Sequence, residues 1–166
     1  MERVIGNIVI ENAIVRFRNF SGKEGRYNPA GKRNFCVFLN TQLAETLRED
    51  GWNVKQLNPI DPSDPPQDYI QVEVSYKNIP PKIYLISSGG KQLLDESNID
   101  ILDWAEIEKV DLIVRPYNWE VNGKSGVKAY CKSMYVTIAE DEFADRYKDV
   151  PDSAKNVGNS DELPFA

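Results

Sequence analysis

The chain has 166 residues, and its 20 Lys and Arg residues against 26 Asp and Glu residues give a formal charge of −6. An acidic total argues against a nucleic-acid partner, whereas this length and a 41% share of hydrophobic residues suit one folded domain with a real core. Because the sequence has no His, it excludes Ser-His-Asp, Cys-His and His-metal chemistry, and we predict no catalytic residues, no cofactor and no metal site.

The same composition bears on the compartment. No stretch is long and apolar enough to span a membrane, and the N-terminal residues lack the basic region and apolar run of an export signal. We therefore expect a cytoplasmic protein with no membrane partner. Cys36 and Cys131 stand in apolar, strand-like segments far apart in the chain, so both are predicted to be buried, reduced thiols.

The first predicted element is a long hairpin. Residues 8–20 are rich in β-branched and aromatic side chains and predict one continuous strand. A Gly-rich, basic loop follows over residues 21–32, and residues 33–39 predict the returning strand. The tip of this hairpin is therefore unusually long and carries several positive charges.

A short helix, an irregular loop and a strand come next. Asn40 or Thr41 can cap a helix whose apolar side chains share one face, and Gly51 suits its C-terminal end. Residues 58–68 contain four prolines and predict a surface loop without regular structure. Residues 70–76 alternate apolar and polar side chains, which predicts a half-buried strand.

The second half of the chain is predicted to contain a second hairpin. Residues 83–86 predict a short strand, and residues 97–108 favour one or two helical turns because Ser, Asp and Glu stand at cap-like spacings. Residues 110–121 and 127–138 both have strand character. The Asn-Gly pair that opens the connecting residues 122–126 is a strong hairpin signal.

Together these elements predict a mainly β fold, a single OB-like Greek-key β-barrel with one or two short helices, over residues 1–148. Residues 149–166 are small, polar and acidic, and they predict a disordered tail. A closed barrel of about five strands brings its first and last strand regions close together. The distribution of charge along the chain therefore matters more than its total.

The charge is unevenly distributed. Residues 1–35 carry seven basic and three acidic groups, or +4, and residues 112–139 carry four against one, or +3. Residues 36–111 carry six basic and fourteen acidic groups, or −8, and residues 140–166 carry three against eight, or −5. Because the two basic regions are the clearest strand regions, an acidic chain can still present a basic surface.

Cations and aromatic rings recur together on the predicted strands. Residues two apart in a strand share a face, so four sets each combine the two kinds of side chain. Such sets suit a groove for single-stranded nucleic acid, because cations follow the phosphates and rings stack on bases. The alternative is that the rings belong to the core and the cations extend from its edges. The four sets are Arg16, Arg18 and Phe20; Arg33 and Phe35; Arg115, Tyr117 and Trp119; and Lys128, Tyr130 and Lys132.

Two further segments contain candidate functional residues. The loop after the first strand adds Lys23, Arg26 and Tyr27, which could fold over a bound strand, although any long hairpin tip is polar. The acidic residues between positions 95 and 111 could hold a magnesium pair as in nucleases. Their density is more simply that of a solvated face.

The chain ends on a distinctive peptide. Its two acids precede an apolar residue, Pro and Phe, so it can dock into apolar pockets ringed by Lys and Arg. The peptide resembles the acidic tail tips of bacterial and phage single-stranded DNA-binding proteins, although in that family the Phe is the last residue and here Ala166 follows it. The docking residues are Asp161, Glu162, Leu163, Pro164 and Phe165.

The body also resembles a phage single-stranded DNA-binding protein with an OB-fold, judged from the long first hairpin, residues 121–130 and the closing strand to Ile138. The resemblance implies sequence-independent coating of single-stranded DNA in replication and recombination, in the bacterial host cytoplasm, with replication and recombination proteins recruited by the tail. A homo-oligomer is compatible with this expectation. The alternatives are a phage assembly protein that binds protein through the same barrel and a metal-dependent nuclease.

Overall fold

The structure is a computed structural model that describes residues 5–26, 28–77 and 79–139. Tyr27, the predicted tail and its tip lie outside the described residues. Within them, nine strands, one α-helix and one 3₁₀ helix follow in chain order: β1 Ile8–Ile10, β2 Ile14–Asn19, β3 Arg33–Leu39, α1 Thr41–Glu49, β4 Lys55–Leu57, β5 Gln67–Val74, β6 Lys82–Ser87, β7 Gly90–Leu94, the 3₁₀ helix Ile99–Asp103, β8 Ile107–Val121 and β9 Lys124–Ile138.

All nine strands belong to one sheet. Its main order is β1-β8-β9-β5-β3-β2, with β4 added to β5 and the β6–β7 hairpin added to β9. The strands at the two ends of this order, β1 and β2, are separated in the chain by residues 11–13 alone. The sheet therefore curls until its first and last strands are joined through a three-residue bend. The predicted mainly β class with a short helix is confirmed.

The first predicted strand is broken, which corrects the expectation of one continuous strand over residues 8–20. Asn12 has a φ of 52°, and the backbone N–H of Ala13 donates to the carbonyl of Val110 at 2.8 Å. This bend lets β1 pair with β8 while β2 pairs with β3. A second irregularity follows at Phe17, whose φ is 55°.

The irregularity at Phe17 changes which way the end of β2 faces. Arg16 pairs with Cys36 and Asn19 with Asn34, so β2 holds one more residue than β3 between these pairs. The alternation predicted from Arg16 to Phe20 is lost there. Phe20 enters the core instead of sharing a face with Arg16.

The strongest sequence signal, the hairpin near the end of the domain, is confirmed. β8 and β9 are each 15 residues long and are joined by Asn122 and Gly123 alone, whose φ values are 52° and 79°. Two consecutive positive φ values are those of a type I′ turn, which Asn-Gly favours. The turn is therefore tighter than the predicted five-residue connection, and both strands extend to it.

β9 uses its two edges differently. It pairs with β8 along its length, and its other edge runs parallel first to β5 at Ala129 and Tyr130 and then to β6 at residues 133–137. Lys132 is an extra residue between the pairs that Cys131 and Ser133 form with β8. This bulge separates the part of β9 that faces β5 from the part that faces β6.

The core lies on one side of this curled sheet. Alternate residues of β3, β5, β8 and β9 point into it, together with the helix residues Ala44 and Leu47. Phe20 and Phe35 stack on each other with ring centroids 5.3 Å apart, and both are 0% exposed. Cys36 and Cys131 are free and buried, as predicted, and burial raises the pKa of Cys131 to about 12.

The helical predictions were partly correct. Asn40 caps α1, because its Oδ1 accepts the backbone N–H of Leu43 at 2.8 Å, and Gly51 follows the helix with a φ of 92°. The predicted helical turns over residues 97–108 are reduced to the 3₁₀ helix, since β8 already begins at Ile107. No helix in the described part of the chain is long and apolar enough to cross a bilayer.

Two short strands have no counterpart in the sequence analysis. β4 precedes the proline-rich loop and pairs with the start of β5. β7 completes a hairpin with β6 through Ser88 and Gly89. Both are short, and most of their residues are exposed, so neither has the apolar alternation that predicts a strand.

The 3₁₀ helix is fastened to the end of β2. The Asp103 carboxylate accepts the backbone N–H groups of Phe20 and Ser21, at 2.6 and 3.0 Å. In return, Arg18 Nη1 donates to the carbonyls of Leu102 and Ala105, both at 2.8 Å. These four hydrogen bonds hold the base of the long first loop.

Replacing Asp103 tests this attachment. Asp103→Ala leaves two backbone N–H groups without their charged acceptor, so we expect the free energy of unfolding to fall by about 2 kcal/mol. Urea denaturation followed by circular dichroism measures the change. The matched control is Asp100→Ala, an exposed position in the same 3₁₀ helix, which should change stability by less than about 0.5 kcal/mol. Equal losses in both variants would contradict the assigned role of Asp103.

Candidate functional site

The sheet side that faces away from the core, here called the outer face, crosses five strands at its centre. Arg16 on β2 pairs with Cys36 on β3, and Cys36 pairs with Gln71 on β5. Val72 then pairs with Ala129, which places Gln71 beside Lys128 on β9, and Lys128 pairs with Tyr117 on β8. Since side chains at paired positions share a face, this row runs across the whole outer face.

A cluster of rings and cations covers the β8–β9 end of the outer face. The Tyr117 and Tyr130 rings meet edge to face with centroids 5.9 Å apart. The Arg115 guanidinium and the Lys128 Nζ each lie 5.3 Å from the centroid of Tyr130. We call Arg115, Tyr117, Trp119, Lys128 and Tyr130 the ribbon cluster. Tyr117 is 51% exposed and Trp119 36% exposed, so solvent reaches both rings.

Trp119 occupies a position that glycine makes available. It pairs with Gly126 across the hairpin. A Cβ at position 126 would lie 2.8 Å from the nearest ring atom of Trp119, so the indole rests directly on the glycine backbone. One ring side is thereby covered while the residue stays partly exposed, an arrangement that suits stacking on the other side.

A carboxylate stands beside the ribbon cluster. Glu73 on β5 forms ion pairs with Lys128 at 2.9 Å and with Lys32 at 3.5 Å. Burial by itself raises the pKa of Glu73, but the hydrogen bond from Lys128, the charges of Lys128 and Lys32 and the Tyr130 hydroxyl outweigh burial, so this pKa lies below its ordinary value. Burial and then the Glu73 charge raise the pKa of Tyr130. The two lysines are therefore already partly neutralised.

The long loop before β3 is organised by amide side chains. Asn28 Nδ2 donates to the carbonyls of Lys23, Pro29 and Lys32 at 3.0–3.1 Å, and Asn34 Nδ2 donates to Asn28 Oδ1 at 2.7 Å. The described part of this loop is therefore held in place by hydrogen bonds from amide groups. Lys23 and Arg26 are exposed on it.

The structure brings together only part of the predicted groove. The ribbon cluster unites the predicted residues of β8 with Lys128 and Tyr130, and Arg16 lies on the same face at its β2 end, 5.6 Å from the Phe38 ring centroid. Lys132 is exposed at the β9 bulge, beyond the point where β9 leaves β5.

Four predicted groove residues are placed elsewhere. Phe20 and Phe35 are core residues and present no ring to a base. The bulge at Phe17 turns Phe20 into the core, and Phe35 lies on the side of β3 that faces the core. The Arg18 guanidinium is bound to the 3₁₀ helix. Arg33 shares the core side with Phe35, and its guanidinium pairs with Glu96 at 3.2 Å.

Three further residues of this surface were not predicted from the sequence. Gln71 and Glu73 lie around the ribbon cluster together with Lys32 of the predicted basic loop, and Phe17 is 62% exposed where β2 bulges. The alternation of residues 70–76 already predicted that Gln71 and Glu73 face outward. It could not show that β9 would be their neighbour, because that parallel pairing joins residues more than fifty positions apart.

A family comparison decides what kind of protein this is. Residues 1–163 match the model of the family described as "Putative phage ssDNA-binding domain". The chain belongs to this family. It is a phage single-stranded DNA-binding protein, and the prediction that it is not an enzyme is confirmed by the family. Within the described residues, no group of three or more Cys, Asp or Glu side chains could hold a metal ion.

Solved structures show the same fold. The single-stranded DNA-binding protein of bacteriophage Enc34 in complex with ssDNA is 13% identical, with a TM-score of 0.54 over 83% of this chain and 89% of that one. A second structure of the bacteriophage Enc34 single-stranded DNA-binding protein is 12% identical, with a TM-score of 0.53 over 92% of this chain and 90% of that one. No curated protein matches the sequence.

The Glu73 ion pairs predict a pH-dependent stability. Because the folded pKa of Glu73 is lowered, its contribution is present at neutral pH and is lost as pH falls through that pKa. We expect Glu73→Gln to lower the free energy of unfolding by about 1 kcal/mol at pH 7. The deficit should shrink below about pH 4.5, where the unfolded carboxyl begins to protonate.

Urea denaturation of both proteins between pH 7 and pH 3 measures this difference. The exposed helix residue Glu49 provides the control, since Glu49→Gln should change the free energy of unfolding at pH 7 by less than about 0.5 kcal/mol. A Glu73→Gln deficit that persists unchanged at pH 3 would show that the ion pairs are not its cause.

Proposed function

We propose that the protein coats single-stranded DNA without sequence preference during replication or recombination, and that the strand lies across the outer face. The observation that carries this proposal is the ribbon cluster, in which exposed rings and cations share one face of two paired strands. Rings stack on any base, and cations neutralise phosphates. Neither contact reads a sequence, which is what a coating protein requires.

The path of the strand follows from the placement of the cations. Arg115 and Lys128 lie at the β8–β9 end of the outer face, and Arg16 lies at the β2 end. Lys23 and Arg26 extend from the adjoining loop, and Tyr27 is assigned to the same loop from the sequence alone. A strand that crosses from β8 to β2 meets cations at both ends, and Tyr117 and Trp119 supply stacking surfaces at the start.

Glu73 tunes this binding. Its carboxylate already accepts from Lys128 and lies near Lys32, so a phosphate that reaches either lysine competes with an internal anion. Binding strength is therefore held below what the same cations would give alone. A coating protein must also be displaced from DNA. Because Glu73 competes with phosphates for two lysines, it favours the release of the strand.

The acidic tail has a separate proposed role. Residues 161–165 combine two acids with Leu163 and Phe165, which suit docking into apolar pockets with a basic rim on replication or recombination proteins. Residues 140–166 carry −5, so the same segment also competes with DNA for the basic outer face. Recruitment and self-competition use the same charges.

Substitution of the exposed rings tests the outer face. Trp119→Ala and Tyr117→Ala should each weaken binding to oligothymidylate by about 5- to 150-fold, which corresponds to about 1 to 3 kcal/mol per stacked base. Trp104→Ala is the control, because Trp104 is 83% exposed but follows the 3₁₀ helix outside the ribbon cluster. Fluorescence anisotropy of a labelled oligonucleotide at two salt concentrations measures the affinity.

The outcomes separate the competing hypotheses. If all three variants bind DNA with equal affinity, the binding surface lies outside the ribbon cluster. Absence of binding at low salt even in the unaltered protein would favour the assembly-protein hypothesis, in which the exposed rings are anchors for another protein.

A tail with fewer negative charges tests self-competition. A variant with Asp149→Asn, Asp152→Asn, Asp161→Asn and Glu162→Gln keeps the length of the tail but removes four negative charges. We expect it to bind oligothymidylate several-fold more tightly at low salt, with the difference vanishing at high salt because the competing attraction is screened. Phe165→Ala is the control, since it retains every charge and should leave the affinity unchanged. An unchanged affinity of the variant with fewer negative charges at low salt would contradict competition by the tail.

A further inference from the structure

The sheet has a gap between β5 and β9. β5 pairs with β4 at residues 67–69 and with β9 at Val72 and Glu73. Ile70 and Gln71 fall between these two ladders and have no strand partner on that edge among the described residues. On the opposite side, β9 pairs at Val127 with the segment around Trp52 before it reaches β5 at Ala129. The gap is therefore bounded at both ends by hydrogen-bonded backbone.

A cleft of about 220 Å³ occupies this gap. Ile70, Val127 and Ala129 give it apolar walls, and Trp119 lies at its rim beside the ribbon cluster. Small-molecule pockets usually begin at about 300 Å³. The cleft is thus too small for a whole nucleotide and suits a single planar ring.

One residue of the cleft wall is a buried tryptophan. Trp52 lines the cleft and is 4% exposed, and its indole Nε1–H is buried without a hydrogen-bond partner among the described residues. The indole ring is therefore the part of Trp52 that reports on what enters the cleft. Gln71 and Asn53 add exposed amide groups at the same opening.

Three of the residues that line the cleft are charged. Glu73 forms ion pairs with Lys128 and Lys32, and all three line the cleft. A phosphate beside these groups is attracted by the lysines and repelled by the carboxylate, whereas a neutral ring carries no net charge on which either can act. A nucleobase is the planar, neutral and partly apolar part of a DNA strand, and the phosphates of the strand can remain beside the lysines.

We propose that one nucleobase of the bound strand leaves the stack and inserts into the cleft between β5 and β9, beside the indole of Trp52. This inference rests on the proposed function, because it requires the strand to cross the outer face. The inserted base packs against Ile70, Val127 and Ala129, its neighbour stacks on Trp119, and the phosphates stay outside near the lysines. The cleft then fixes the register of the strand at one nucleotide.

Nuclear magnetic resonance of the indole groups tests the insertion. The chain has three Trp residues, so a ¹⁵N-labelled sample gives three indole N–H signals. Trp104→Phe and Trp119→Phe each remove one signal and thereby assign the third to Trp52. The labelled full chain is titrated with oligothymidylate, with an abasic oligonucleotide of the same length and with thymidine. We expect the Trp52 signal to shift with oligothymidylate, because the inserted ring changes the surroundings of the indole, with a weaker response to high concentrations of thymidine and no shift with the abasic strand.

Each alternative outcome overturns the proposal in a recognisable way. If oligothymidylate binds, as shown by the Trp119 signal, and the Trp52 signal stays in place, insertion is wrong while the proposed function stands. An equal shift with the abasic strand would assign the effect to the backbone, and a shift with thymidine alone would indicate a site for free nucleosides. Failure of every oligonucleotide to bind would overturn both proposals.

A glycine variant gives a second measurement. Gly126→Ala places a Cβ 2.8 Å from the Trp119 ring and must displace the indole at the cleft rim, so the oligothymidylate-induced shift of the Trp52 signal should fall or disappear. Gly6→Ala is the control, because a Cβ there meets no atom within 4 Å. A full Trp52 response in the Gly126→Ala protein would contradict the proposed geometry of the cleft.

Discussion

The pairing of β9 with three partners is the constraint on which both the core and the outer face depend. Its full length is committed to β8, while its other edge is shared between β5 and β6. The bulge at Lys132 allows this change, because one extra residue reverses the alternation of inward and outward side chains. Ala129 and Cys131 point into the core before the bulge, and Met134 and Val136 do so after it. Without that reversal, one half of β9 would present polar residues to the core.

The same constraint determines how much of the fold could be predicted. The β8–β9 hairpin followed from local information alone, since Asn-Gly turn chemistry and two long alternating segments agree. The single strand expected over residues 8–20 failed at Asn12 and Phe17, where residues other than glycine adopt positive φ values. Side-chain propensity gives no warning of such conformations, because tertiary pairing imposes them. Once Phe17 bulged, the predicted partnership of Arg16 and Phe20 could not hold.

The distribution of charge along the chain did not reveal which cations the fold leaves available, for a physical reason. Counting by segment located two basic regions, but two cations of the first region are bound within the fold, Arg18 to carbonyls and Arg33 to Glu96. The acidic middle segment, conversely, supplies Glu73 to the centre of the outer face. A sum along the chain treats neighbours in sequence as neighbours in space. In a sheet with parallel, long-range pairs, the relevant neighbours belong to other segments.

The proposed coating without sequence preference and the proposed insertion of one base are compatible with each other. Stacking on Tyr117 and Trp119 is indifferent to the base, and a small cleft with apolar walls discriminates little among planar rings. The difference between the two contacts lies in what they fix. Stacking lets a strand slide, whereas a base held between β5 and β9 must be withdrawn before the strand can move by one nucleotide. The gap left where β5 changes partner from β4 to β9 would therefore govern mobility along DNA more than affinity for it.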